Sequence, residues 1–94
     1  MVKNLRKSNL SISIMELLWI TEAHYLDNYR MRLLFNNGCW RTFDFGSLFG
    51  TNKLYDKIRS LSVFRQFALN GWTVSWLDGT VDVSPEFLYE NGEA

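Results

Sequence analysis

Apolar and polar positions alternate most regularly between Arg65 and Tyr89, where two turn dipeptides, Asn70-Gly71 and Asp78-Gly79, punctuate the pattern. Both dipeptides tolerate positive φ at adjacent positions, as the two-residue hairpin turns require. A hairpin closed at Asn70-Gly71 sets Leu69 opposite Trp72, Phe67 opposite Val74 and Arg65 opposite Trp76. A second, closed at Asp78-Gly79, sets Trp76 opposite Val81 and Val74 opposite Val83. Opposed antiparallel residues share a face and side chains repeat with period two. These residues therefore collect on one side, and Gln66, Ala68, Thr73, Ser75, Asp82 and Ser84 on the other. Agreement of two turns on one apolar face predicts a three-stranded meander, because a slip of one residue would scatter it.

An earlier meander is read from Leu17 to Phe45. Leu17–Leu26 is rich in Trp, Ile, Thr and Tyr, Asp27-Asn28 turns the chain, and Tyr29, Met31, Leu33 and Phe35 alternate. Asn37-Gly38 then returns it through Cys39–Phe45. A two-residue turn there pairs Phe35 with Trp40 and Leu33 with Thr42 on one face. The other face carries Arg30 against Phe45, Arg32 against Phe43 and Leu34 against Arg41. Glu22 falls opposite Leu33, which calls for a bulge in the first strand.

Between the meanders, 52–60 reads as a short helix with Asn52 at its N-cap and Leu54, Ile58 and Leu61 at helical spacing, followed by a turn at 62–64. Ser84 is the expected N-cap of a terminal helix with Pro85 at its first position, Glu86 at its positive end and Asn91-Gly92 at its stop. The predicted fold is α+β, two three-stranded antiparallel meanders in the order βββ-α-βββ-α with short helices packed on the sheet. Residues 16–92 form one domain. Residues 1–15 form an N-terminal extension, read as loosely attached, with Leu10, Ile12 and Ile14 as an alternative edge strand and Met15 an alternative start.

Ninety-four residues with 47% hydrophobic content suffice for a core without disulfides or metal. Four Trp, four Tyr and seven Phe are hard to bury in so short a chain, which points to a partner-covered surface and to homodimerisation. The single cysteine, Cys39, excludes an intramolecular disulfide and suits a reducing, cytoplasmic setting. No apolar run reaches membrane-span length, so no membrane partner is expected. Net charge is zero, yet all ten Lys and Arg lie at or before Arg65 and only acids follow, giving halves of about +5 and −5.

Candidates for chemistry are sparse. His24, the one histidine, would need a carboxylate to orient it or further ligands to serve as base or metal ligand, and nothing in the sequence places them. Asp44 and Asp82 leave strands at comparable points; acid–base work by such a pair competes with turn and helix capping, the stronger reading. Asn37, Gly38, Asn70, Gly71, Asp78, Gly79, Asp82, Ser84 and Pro85 are assigned to turns and caps. Arg30, Arg32, Arg41, Phe43 and Phe45 form the expected interaction face. It suits a protein interface first, intramolecular packing second and stacked single-stranded nucleic acid third. Arg32→Glu with Phe43→Ser should weaken association without unfolding the domain. No catalytic residue, metal or cofactor is expected.

The run from Trp76 to Tyr89, Trp-Leu-Asp-Gly-Thr-Val-Asp-Val-Ser-Pro-Glu-Phe-Leu-Tyr, resembles the end of a bacterial family known only as domain of unknown function 2442. Tyr29–Phe45, with its Asn-Gly turn and Asp44-Phe45 exit, resembles that family too, as does Leu61–Leu69 with Phe64. The likeness spans Leu17 to Tyr89 and departs at Leu77, where the family often has proline. It implies a compact α+β module, often encoded beside another small protein in a toxin–antitoxin-like arrangement, with no catalytic residues to carry over. The expected function is a macromolecular-interaction module, the non-toxic partner of such a pair. The alternatives are a nucleic-acid-binding regulator using the Arg/aromatic face and a small-ligand-binding protein.

Overall fold

The computed structural model describes residues 17–94. The extension, its candidate edge strand and Met15 lie outside the described residues. Two three-stranded antiparallel sheets make up the fold. The first holds β1 (Ile20–Asp27), β2 (Arg30–Phe35) and β3 (Trp40–Asp44). Two 3-10 turns, Phe45–Leu48 and Tyr55–Ile58, and a one-turn helix α1 (Leu61–Phe64) lead to the second. That sheet holds β4 (Ala68–Leu69), β5 (Val74–Trp76) and β6 (Val81–Asp82), and the helix α2 (Pro85–Asn91) follows it.

The β2–β3 register differs from the two-residue-turn expectation by one. Met31 pairs with Phe43, Arg32 with Thr42, Leu33 with Arg41 and Leu34 with Trp40. The cause is the loop. Gly38 alone takes positive φ (+87°), whereas a type I′ turn needs it at both central residues. Asn36, Asn37 and Gly38 therefore form a three-residue connection, closed by Gly38 N–H to Phe35 O and Phe35 N–H to Cys39 O, both 2.9 Å. Asn36 instead ties the entry of β1, accepting from Trp19 N–H at 2.9 Å and donating to Leu17 O at 3.0 Å.

β1 shifts register between Ile20 and Glu22 and again between Tyr25 and Asp27. The first bulge moves Glu22 opposite Leu34, away from the core face, while Ala23 and Tyr25 stay inward against Leu33 and Met31.

In the second meander Leu69 pairs with Val74, two residues away from the expected partner. The loop runs Asn70–Thr73 because the Asn70 side chain accepts from both Trp72 N–H (2.9 Å) and Thr73 N–H (2.8 Å). A slip of two preserves the faces, so Val74 and Trp76 still point inward, but Trp72 becomes an exposed loop residue. Trp76 pairs with Val81 and Ser75 with Asp82, the predicted register. Leu77, Asp78 and Gly79 all take positive φ in that turn.

The helix expected over 52–60 is a 3-10 turn at Tyr55–Ile58, with Asn52 Oδ1 accepting from Leu54 N–H just before it. Its inward side chains are few, Ile58 fully buried and Leu54 half-buried, which does not offset nucleation of a longer helix.

Between the sheets the core gathers Phe35, Phe45, Phe64 and Trp76 with Met31, Leu33, Val74, Val81 and Leu88. Trp76 stacks on Phe64 at 5.5 Å and donates its indole N–H to Phe64 O at 2.7 Å. Burial of that one side chain contributes about 4–6 kcal/mol before entropy is counted. Ile20 N–H to Trp72 O (2.9 Å) stitches the two sheets at one end.

Ser84 Oγ caps α2 by accepting from Phe87 N–H at 3.2 Å, with Pro85 at the first position. Past the helix Glu93 and Thr42 exchange backbone hydrogen bonds of 2.7 and 2.8 Å, covering the outer edge of β3. Gly92 permits this through lack of bulk. A Cβ there would sit 2.7 Å from Leu88 O and 2.9 Å from Arg41 Cβ.

Candidate interaction face

The corrected register sorts the first sheet into a packed side and an open side. Inward lie Ile20, Ala23, Tyr25, Met31, Leu33, Phe35 and Phe43. Outward lie Glu22 and His24 from β1, Arg30, Arg32 and Leu34 from β2, and Trp40, Thr42 and Asp44 from β3. None of these outward side chains is buried.

Trp40, at the start of the edge strand β3, gathers two neighbours on the open side. The Arg32 guanidinium lies 5.3 Å from its ring centroid, and the His24 ring lies 6.0 Å away at 35°. Arg32 Nη1 donates to Thr42 Oγ1 at 3.1 Å, and His24 Nε2 is 3.0 Å from Glu22 Oε1. Cross-strand contacts of this kind hold long side chains in one geometry, so the face is preorganised by its own neighbours.

The five residues expected to share an interaction face separate. Arg30 and Arg32 lie on the open side. Phe43 and Phe45 are in the core at 5% and 0% exposure, packed edge to face at 4.9 Å. Arg41 is turned to the inner side, its Nε donating to Tyr89 O at 3.1 Å and its guanidinium 4.2 Å from the Tyr89 ring. The one-residue register shift exchanged the faces of β3, and it brought in Trp40, which the two-residue turn had placed inward. Recognising Asn36 as a loop residue would have found it.

The same geometry removes most of the basic character. Arg30 forms a two-point ion pair with Asp27 (2.8 and 3.1 Å), and Asp44 stands opposite it across the strands. The Arg30 hydrogen bonds hold the Asp27 carboxyl below its ordinary value of 3.8, and Asp27 in turn raises Arg30. Arg32 is the cation of this face without a carboxylate partner among the described residues. A phosphate-tracking surface needs a stripe of such charges, and none forms on this face among the described residues.

Asp44 accepts from Gly46 N–H at 2.9 Å and caps the following turn. The cap at the later helix is supplied by Ser84, and Asp82 lines a groove that does not include Asp44. His24 borders neither depression. The candidates for acid–base chemistry are thus dispersed. Among the described residues no three His, Cys, Asp or Glu side chains are grouped to hold a metal ion, and no helix is long and apolar enough to cross a membrane. Cys39 is half-buried, with the Tyr89 hydroxyl 3.5 Å from its sulfur.

A family model described as protein of unknown function (DUF2442) matches residues 20–94, from the first residue of β1 through the tail that covers β3. The chain belongs to the DUF2442 family. No curated protein and no solved structure matches it. In this DUF2442 domain Leu77, noted above as a departure, sits at φ +54°, a conformation closed to proline.

Proposed function

We propose that this DUF2442 domain is a protein-interaction module and that the open side of its first sheet is the contact surface. The observation that carries the reading is the Trp40 cluster. A large aromatic ring, a guanidinium and an imidazole are held together on a rigid sheet, on the side opposite the packed core. Tryptophan and arginine anchor protein interfaces because each gives much contact area, and the guanidinium adds several directional hydrogen bonds from one planar group. Sparse net charge on the face favours a protein over nucleic acid. The partner we have in mind is a second small protein of a paired, toxin–antitoxin-like system, in which this domain is the non-toxic half. That part rests on the family resemblance.

The test is affinity capture from the native, nuclease-treated lysate with wild type and with Arg32→Glu/Trp40→Ser as baits, the two matched by circular dichroism. A stoichiometric small protein recovered with wild type and reduced about tenfold or more with the double variant is expected. Equal recovery by both baits, or no stoichiometric partner with clean bait, would defeat the proposal.

A further inference from the structure

Where the 3-10 turns meet β6 and the start of α2, the surface opens into a groove of about 600 Å³. Its lining residues include Leu48 and Val83, which are buried, with Thr51, Tyr55, Asp82 and Phe87. Among the described residues Asp82 is the one charged residue lining it. The Thr51 hydroxyl is already spent on Leu48 O at 2.6 Å. Asp82 enters no ion pair, since those among the described residues are local: Glu22–His24, Asp27–Arg30 and Asp56–Arg59. Even Lys53 and Lys57 of the adjoining turn form no ion pair with it.

A single carboxylate beside an apolar floor and aromatic rings is the chemistry that receives a cation carried on a hydrocarbon stem. This chain places an arginine over an aromatic ring four times. Arg32 lies over Trp40, Arg41 over Tyr89, Arg59 over Phe49 and Arg65 over Tyr25, at 4.2–5.4 Å. Arg30 is engaged by Asp27. Every arginine of the described residues is therefore committed, and the groove beside Asp82 has none. We infer that it binds the side chain of an arginine presented by a partner protein. The Asp82 carboxylate accepts its N–H groups in the two-point geometry a guanidinium offers, and the apolar lining takes its stem. Guanidinium rather than ammonium is specified because the planar group is weakly hydrated and stacks on rings. This site is separate from the Trp40 face, so failure of one leaves the other standing.

The experiment is a titration of the ¹⁵N-labelled domain with a short, end-capped peptide carrying one arginine, beside its citrulline counterpart and beside agmatine. Saturable shifts at the Thr51, Val83 and Phe87 amides are expected with the arginine peptide. The neutral citrulline peptide should bind about tenfold more weakly or worse, as should Asp82→Asn with the arginine peptide. Glu90→Gln, an exposed carboxylate outside the groove, should leave binding unchanged. Absent shifts, or equal affinity for the citrulline peptide, would overturn the site, and both are read on the wild-type protein. Agmatine binding more tightly than the peptide would overturn the protein-borne source.

Discussion

Phe43 and Trp40 lie three residues apart on one strand and point to opposite sides, so serine at each gives opposite outcomes under the two registers considered above. In the structure Phe43 is 5% exposed, faces Met31 across the strands and meets the rings of Phe45 at 4.9 Å and Phe87 at 5.8 Å. Truncating a buried phenylalanine costs about 3–5 kcal/mol, and a serine hydroxyl left in that apolar site adds to it. Domains of this size have about 5–15 kcal/mol in total. Phe43→Ser is thus severe and no surface probe, contrary to its expected use with Arg32→Glu. Trp40→Ser removes a half-buried ring and one cation–π contact, a loss of about 1–2 kcal/mol. Urea unfolding followed by far-ultraviolet circular dichroism measures both. With a slope of about 1.3 kcal/mol/M, the Phe43→Ser midpoint should fall by roughly 2–4 M and the Trp40→Ser midpoint by about 1 M. Were Trp40→Ser the more damaging of the two, the three-residue loop and the faces built on it would be refuted.

Three further perturbations probe local features. Leu77→Asn should raise stability by about 0.5–1 kcal/mol, since asparagine accepts φ near +54° more readily than leucine, whereas Leu77→Pro should lower it; thermal melts give both signs. Gly92→Ala should cost about 1–3 kcal/mol, because the added Cβ meets backbone at Leu88 O and the Arg41 Cβ, and amide exchange should show the Glu93–Thr42 pair opening first. The Asp27 carboxyl, titrated by NMR, should show a midpoint below 3.8 that returns to that value in Arg30→Gln. A depressed carboxyl stabilises fully above its unfolded value and loses that contribution as pH falls through the folded one, so this pair weakens only in acid below 3.8. A wild-type midpoint at or above 3.8 would dispose of the ion pair.

Fold class was legible because the information lay in pairs of residues close in sequence. Trp76–Val81 follows from Asp78-Gly79, and Ser84-Pro85 starts α2 by a local hydrogen bond. The Asn-Gly pairs were harder. Each dipeptide marks a turn, yet the loop length depends on what the neighbouring side chains bond to. Asn36 bonds across to Trp19 and Leu17, and Asn70 bonds forward to Trp72 and Thr73. At Asn70 the loop grew by an even number and the faces survived; at Asn37 it grew by an odd number and they reversed. That single odd residue moved Phe43 and Phe45 from the interaction face to the core. It also moved Trp40 the other way, so most of the candidate face was invisible. The clasp between Thr42 and Glu93 joins residues far apart in the chain, with no alternation to announce it.

The most direct measurement uses the four tryptophan indole N–H signals, from Trp19, Trp40, Trp72 and Trp76, in a ¹⁵N-labelled sample titrated with the captured partner. Engagement of the open sheet face should shift or broaden the Trp40 signal and leave that of Trp76, bonded to Phe64 O inside the core, in place. Partner binding that leaves Trp40 unmoved while Trp19 or Trp72 shifts would contradict the assignment.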